Sequence, residues 1–88
     1  MRTSYRKKFL KQLAQLPRTT RSQVEAFAFE QLPNAASISD LGIVEKMQGY
    51  RGYYKARFGS YRVGMKVEGD TLIFQVVMNR KDIYKFFP

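Results

Sequence analysis

The chain has 88 residues, and its 16 Lys and Arg against 7 Asp and Glu give it a net charge of +9. It contains neither cysteine nor histidine, which argues against disulfides, thiolate zinc sites and any catalytic triad built on Cys or His, and no cofactor is expected. The charge points to a polyanionic partner, whether nucleic acid, an anionic membrane surface or an acidic protein.

A chain of this length makes one domain with one core, burying on folding only about 60–65% of the surface it exposes when unfolded. Hydrophobic residues at 44%, many of them Phe and Tyr, suffice for that core despite the charge. No stretch approaches the roughly 18–20 apolar residues of a membrane span. The start, Met1-Arg2-Thr3-Ser4-Tyr5-Arg6-Lys7-Lys8, leads into no signal-peptide core, so a cytoplasmic protein is expected.

From Ser4 to Leu16 the apolar positions Tyr5, Phe9, Leu13 and Leu16 recur every three or four residues between basic and amide side chains. This predicts an amphipathic helix with Ser4 as N-cap, ended by Pro17. A second helix is expected from Thr20, with Val24, Phe27, Ala28, Gln31 and Leu32 along one stripe and Pro33 as its stop. Pro33 to Ser37 is turn-rich. Ile38 to Met47 shows no clean period and reads as loop with short helical or strand pieces. The period then becomes two. Tyr53–Phe58, Tyr61–Val67 and Thr71–Met78 read as three strands of an antiparallel meander, separated by Gly59-Ser60 and Gly69-Asp70. The fold class is therefore α+β, two N-terminal antiparallel helices packed on a C-terminal antiparallel sheet, ending in a short helical turn.

A two-residue Gly-X loop suits a type II′ hairpin, which sets the register of the first two strands. Phe58 then pairs with Tyr61, Arg57 with Arg62, Ala56 with Val63 and Lys55 with Gly64. One face carries Tyr54, Ala56, Phe58, Tyr61, Val63, Met65 and Val67, suited to burial against the helices. The other carries Tyr53, Lys55, Arg57, Arg62, Gly64 and Lys66, where two arginines stand opposite each other with no acidic residue in either strand. Like charges so placed cost a few tenths to about 1 kcal/mol. A solvated face usually mixes signs, whereas clustered guanidiniums beside a tyrosine suit phosphate and a stacked base. Gly64 leaves room for a ligand beside Lys55. In the tail, Arg80 and Tyr84 lie four apart and share a face if the segment is helical. Phe86 and Phe87 are expected to pack, and spacing leaves Tyr84 open between core and site.

The segments Glu45-Lys46-Met47-Gln48-Gly49, Tyr54-Lys55-Ala56-Arg57-Phe58-Gly59-Ser60-Tyr61-Arg62-Val63 and Asn79-Arg80-Lys81-Asp82-Ile83-Tyr84 together resemble the successive signatures of the RelE/ParE toxin superfamily, in its RelE-like branch. The resemblance covers nearly the whole chain. It implies the toxin of a type II toxin–antitoxin system, a ribosome-dependent endoribonuclease that cleaves mRNA in the A site by metal-free 2′-OH attack and so inhibits translation. It implies as partners a cognate antitoxin, the ribosome and its mRNA, and operator DNA reached through the antitoxin complex. The family's active positions match Lys55, Arg57, Arg62, Arg80 and Tyr84, and Tyr53, Lys66, Lys81 and Lys85 are candidate RNA-binding residues. Two departures stand out. Relatives usually begin with a strand, for which only Met1-Arg2-Thr3 is left here, so a vestigial or absent strand is expected, with the sheet edge exposed or covered by something else. Many relatives also have His where this chain has Asn79.

Metal-free RNA cleavage needs removal of the 2′-OH proton, positive charge on the phosphorane-like transition state and a proton for the departing 5′-oxygen. Lys55 is the candidate base, since Arg57 and Arg62 beside it disfavour a further positive charge. Arg57 and Arg62 would clamp the phosphate. Arg80 or Tyr84 would assist the leaving group, unless Tyr84 stacks on a base. The rival readings are a ParE-like toxin that inhibits DNA gyrase and a non-catalytic RNA-binding or degenerate toxin. Fold alone does not separate them.

Overall fold

A computed structural model describes residues 1–88 and places a strand, β1 (Arg2–Tyr5), ahead of the first helix. The N-terminal strand, expected to be vestigial or absent, is therefore present, and it is the element that covers the sheet edge. β1 runs parallel to β5 (Thr71–Asn79), pairing Arg2 with Thr71 through to Tyr5 with Phe74. Ser4 lies within this strand, so the N-cap position of α1 (Lys7–Ala14) falls to Arg6, which makes no side-chain cap. The physical reason is length. Four residues are too few to display a period of two, and the Tyr5-to-Phe9 spacing that reads as helical straddles the junction of strand and helix. Past β1, the edge of β5 is satisfied from α1. The Arg6 N–H donates to the Phe74 carbonyl at 3.0 Å, and Gln12 Oε1 accepts from the Val77 N–H at 2.9 Å.

The second helix, α2 (Arg18–Ala26), begins before Thr20, with Pro17 at the N-cap position and its carbonyl accepting from the Arg21 N–H at 2.8 Å. It continues as a π-helical turn over Phe27–Gln31. There the Leu32 N–H bonds to the Phe27 carbonyl at 2.9 Å, and Pro33 has no N–H to offer. The Ala28 carbonyl would be orphaned, and Tyr5 Oη donates to it at 2.6 Å. Val24, Phe27, Ala28 and Leu32 form the buried stripe, while Gln31 is exposed. The aperiodic stretch that follows contains a 3₁₀ turn, Ile38–Asp40, capped reciprocally by Ser37 and Asp40, and a short strand, β2 (Val44–Lys46).

With β3 (Tyr53–Phe58) and β4 (Tyr61–Glu68) the sheet runs β1-β5-β4-β3-β2, antiparallel except at β1. The β3–β4 register is the one expected from Gly59-Ser60. Gly59 has φ +58 and Ser60 does not have positive φ, as a II′ turn requires. The helices cover one face, where Phe9, Leu13, Val24, Phe27 and Leu32 meet Ala56, Val63, Met65, Leu72, Phe74 and Val77.

The opposite face is not bare. A bulge pairs Gly64 with Val76 and Met65 with Phe74, leaving Gln75 as the extra residue of β5. Val76 joins Met47, Ile83 and Phe87 in a second buried cluster under α3 (Arg80–Phe86). The space at Gly64 read as room for a ligand is filled, since a Cβ there would sit 2.8 Å from the Phe87 ring. Of the two terminal phenylalanines only Phe87 packs, and Phe86 is 62% exposed. Gly64→Ala is expected to cost about 1–3 kcal/mol in urea unfolding, because the ring must move. In a Phe87→Ala background the same substitution should cost much less, and equal costs in both backgrounds would contradict the contact.

Candidate nucleic-acid interface

The hairpin register puts Arg57 opposite Arg62 and Lys55 opposite Gly64 on the face away from α1 and α2. β5 pairs Asn79 with Tyr61, so Arg80 emerges beside the Gly59-Ser60 turn, where its backbone N–H donates to the Ser60 carbonyl at 2.7 Å. Asn79 is the N-cap of α3, its side chain accepting from the Lys81 N–H at 2.9 Å. Ile83 and Phe87 occupy the buried side of this helix, which leaves Tyr84 outside the core and 65% exposed. Lys55 Nζ donates to Tyr84 Oη and lies 4.6 Å from the ring centroid. Two groups distant in sequence are thereby in direct contact next to the arginine pair.

The arginines are not left bare. Arg57 Nε lies 3.6 Å from Glu45 Oε1, a carboxylate supplied by β2 at the position paired with Lys55. Sequence reasoning missed Glu45 as a site neighbour because β2 falls in the aperiodic stretch. Its place at the head of the resemblance-bearing segment Glu45-Lys46-Met47-Gln48-Gly49 was the available signal. Arg62 Nη1 folds back to donate to the carbonyls of Gly59 at 2.7 Å and Tyr61 at 2.9 Å. Exposed ion pairs of this kind are worth about 0–1 kcal/mol, so little holds these side chains against a phosphate.

The four RNA-binding candidates sit differently. Tyr53 is half-buried, its ring edge-on to Phe87 at 5.5 Å. Lys66 Nζ is 5.3 Å above the Tyr53 ring and 3.4 Å from Glu68 Oε2. Glu68 first, then Tyr53, holds the Lys66 ammonium above its ordinary range. Lys81 and Lys85 are exposed on the solvent side of α3. The structure thus collects Lys55, Arg57, Arg62, Arg80 and Tyr84 toward the Gly59-Ser60 end of the hairpin, with Tyr53 and Lys66 paired further along the same two strands and Lys81 and Lys85 on α3. A wider concavity, about 1030 Å³, lies elsewhere, at the loop between β2 and β3. Depth is a poor guide for a nucleic-acid strand, which is held across open surface by charge and stacking. No helix is long and apolar enough to cross a membrane.

Two helices thus lie behind a mostly antiparallel sheet, with a cationic hairpin beside a C-terminal helix. The chain matches the family described as "ParE toxin of type II toxin-antitoxin system, parDE" over residues 4–84. It is 39% identical to Toxin RelE3 of Methanocaldococcus jannaschii over the whole of both chains. Its fold superposes on the RelB-RelE antitoxin-toxin complex from Methanococcus jannaschii with a TM-score of 0.79 and 38% identity, covering 97% of this chain and 99% of that one. The isolated E. coli RelE toxin shares the fold at 20% identity with a TM-score of 0.68, over 96% of this chain and 90% of that one. The chain belongs to the ParE/RelE toxin family.

Asn79→Ala should lower stability by about 0.5–2 kcal/mol, and Asn79→Asp should largely retain it, because an aspartate still accepts from the helix N-terminus. Thermal unfolding of the two variants checks this, and equal losses would deny Asn79 its capping role.

Proposed function

We propose that this toxin is a ribosome-dependent, metal-independent endoribonuclease that cuts mRNA in the A site. The observation that carries the reading is the direct contact of Lys55 with Tyr84 beside the opposed Arg57 and Arg62. A base, an acid and two phosphate ligands then share one surface.

In the reaction, Lys55 as free amine takes the 2′-OH proton while the 2′-oxygen attacks phosphorus. Arg57 leaves Glu45 and Arg62 leaves its carbonyls to hold the non-bridging oxygens, exchanging weak bonds for charge-assisted ones that strengthen as charge develops. The 5′-oxygen departs with a proton from Tyr84 while Arg80 stabilises the charge on the leaving group, giving a 2′,3′-cyclic phosphate and a 5′-hydroxyl. Contact between Lys55 Nζ and Tyr84 Oη lets a proton pass between base and acid and reset the pair. Metal independence is proposed because the clustered groups themselves supply a base, an acid and positive charge for the phosphate. Ribosome dependence follows from the weakness of such groups in isolation, which leaves substrate positioning to the ribosome.

The M. jannaschii relative is seen in an antitoxin complex, and a cognate antitoxin is the protein partner proposed here, with operator DNA contacted through that complex. Because the family's description names ParE, gyrase inhibition is the second reading. The five clustered groups and the full-length similarity to Toxin RelE3 favour RNA.

Primer extension on a translated message should show cuts within codons. Arg62→Ala should slow them by about 100-fold or more, and Lys55→Ala and Tyr84→Phe by about 100-fold each. Cleavage should continue, with a cyclic phosphate product, when cobalt hexammine replaces magnesium on intact ribosomes. Full activity of Arg62→Ala, or growth arrest with supercoiling loss and no message cleavage, would overturn the proposal.

A further inference from the structure

A concavity of about 1030 Å³ at the loop joining β2 and β3 is not used by the reaction above. It is lined by Lys46, Gln48, Tyr50, Arg51, Tyr53 and Tyr54 among others, with no carboxylate in its wall. The loop is held in shape by its backbone. The Tyr50 N–H donates to Met47 and the Tyr53 N–H to Tyr50, each at 3.2 Å, and the Val67 N–H reaches Gly52 at 2.8 Å. Gly49 and Gly52, at φ +80 and +82, supply the left-handed positions that these turns need. The outcome is an aromatic ring presented to solvent, with Tyr50 53% exposed and edge-on to Tyr53 at 6.5 Å. Lys46 and Arg51 are exposed, and neither is in an ion pair. Cations without partners beside a held, exposed ring match an unpaired base with its phosphates.

The loop is also continuous with the candidate active surface. Tyr53 precedes Lys55 by two residues on the same face of β3, about 7 Å along the strand. Its ring bridges Tyr50 on one side and Phe87 on the other. An RNA strand with its scissile phosphate between Arg57 and Arg62 can therefore pass over Tyr53 to Tyr50.

We propose that the Met47–Gly52 loop is a second single-stranded RNA subsite, in which Tyr50 stacks on an unpaired base flanking the cleaved step while Arg51 and Lys46 hold the adjoining phosphates. The proposal rests on the RNA-directed reading of the hairpin surface but not on cleavage itself, and its test uses binding alone.

Affinity of the purified full chain for nuclease-resistant 2′-O-methyl RNA would be measured by fluorescence anisotropy as the oligonucleotide is lengthened from about three to about six nucleotides. The longer RNA should bind more tightly to the native protein, and Tyr50→Ala should remove about fivefold to a hundredfold of that gain. Tyr50→Phe should keep it, since stacking needs the ring and not the hydroxyl. Arg51→Gln should lower the slope of log affinity against log salt by about 0.7. A length gain unchanged in Tyr50→Ala and Arg51→Gln, or absent in the native protein, overturns the subsite. So does loss of binding to a polyaspartate peptide with RNA affinity intact, which would assign the loop to an acidic protein. If the native protein cuts no message on ribosomes yet loses its length gain in Tyr50→Ala, the subsite stands and the nuclease reading falls.

Discussion

The two-residue turn at Gly59-Ser60 is the constraint on which the candidate surface depends. A type II′ turn admits one register, and that register aligns Arg57 with Arg62 and Lys55 with Gly64. A slip of one residue would carry every one of these side chains to the opposite face and bury cations among Ala56, Val63 and Met65. The turn also reaches forward in the chain. The Ser60 carbonyl receives the Arg80 N–H, which ties the start of α3 to the same hairpin.

A second constraint sets where α3 lies. Gly64 is the partner of Lys55 and has no side chain, and the Phe87 ring rests in the space a Cβ would need. Phe87 and Ile83 bury the inner side of α3 with Met47 and Val76, so Tyr84, on the neighbouring side, is delivered to Lys55. A glycine that reads as an opening for a ligand is in fact the seat of Phe87, which holds α3 against the candidate site. Apolar packing does the positioning, and the polar groups are thereby free to be exposed.

The resting arrangement of the charges is weakly held. Arg57 is paired with an exposed Glu45 and Arg62 with two turn carbonyls, interactions weaker than the charge-assisted bonds a guanidinium makes to a phosphate. The repulsion built into the hairpin is thus eased in the free protein without a buried ion pair that would have to be broken at a cost of several kcal/mol.

By itself the sequence determined the local order: two amphipathic helices stopped by prolines, three strands of period two, and a hairpin whose turn chemistry dictates which charges face each other. These rest on interactions between residues near in the chain, where spacing is the physical cause. The basic character of Lys55, Arg57 and Arg62 as one face belongs to the same class. Only the tertiary structure decided that Arg2–Tyr5 is a strand, because four residues become a strand through their partner β5 and not through any period of their own. Only it decided that Glu45 joins Arg57, that Phe87 and not a ligand occupies Gly64, and that Tyr84 leaves the core to meet Lys55. Each of these is a pairing between segments remote in sequence, settled by which apolar side chains bury together, and no local pattern encodes that choice.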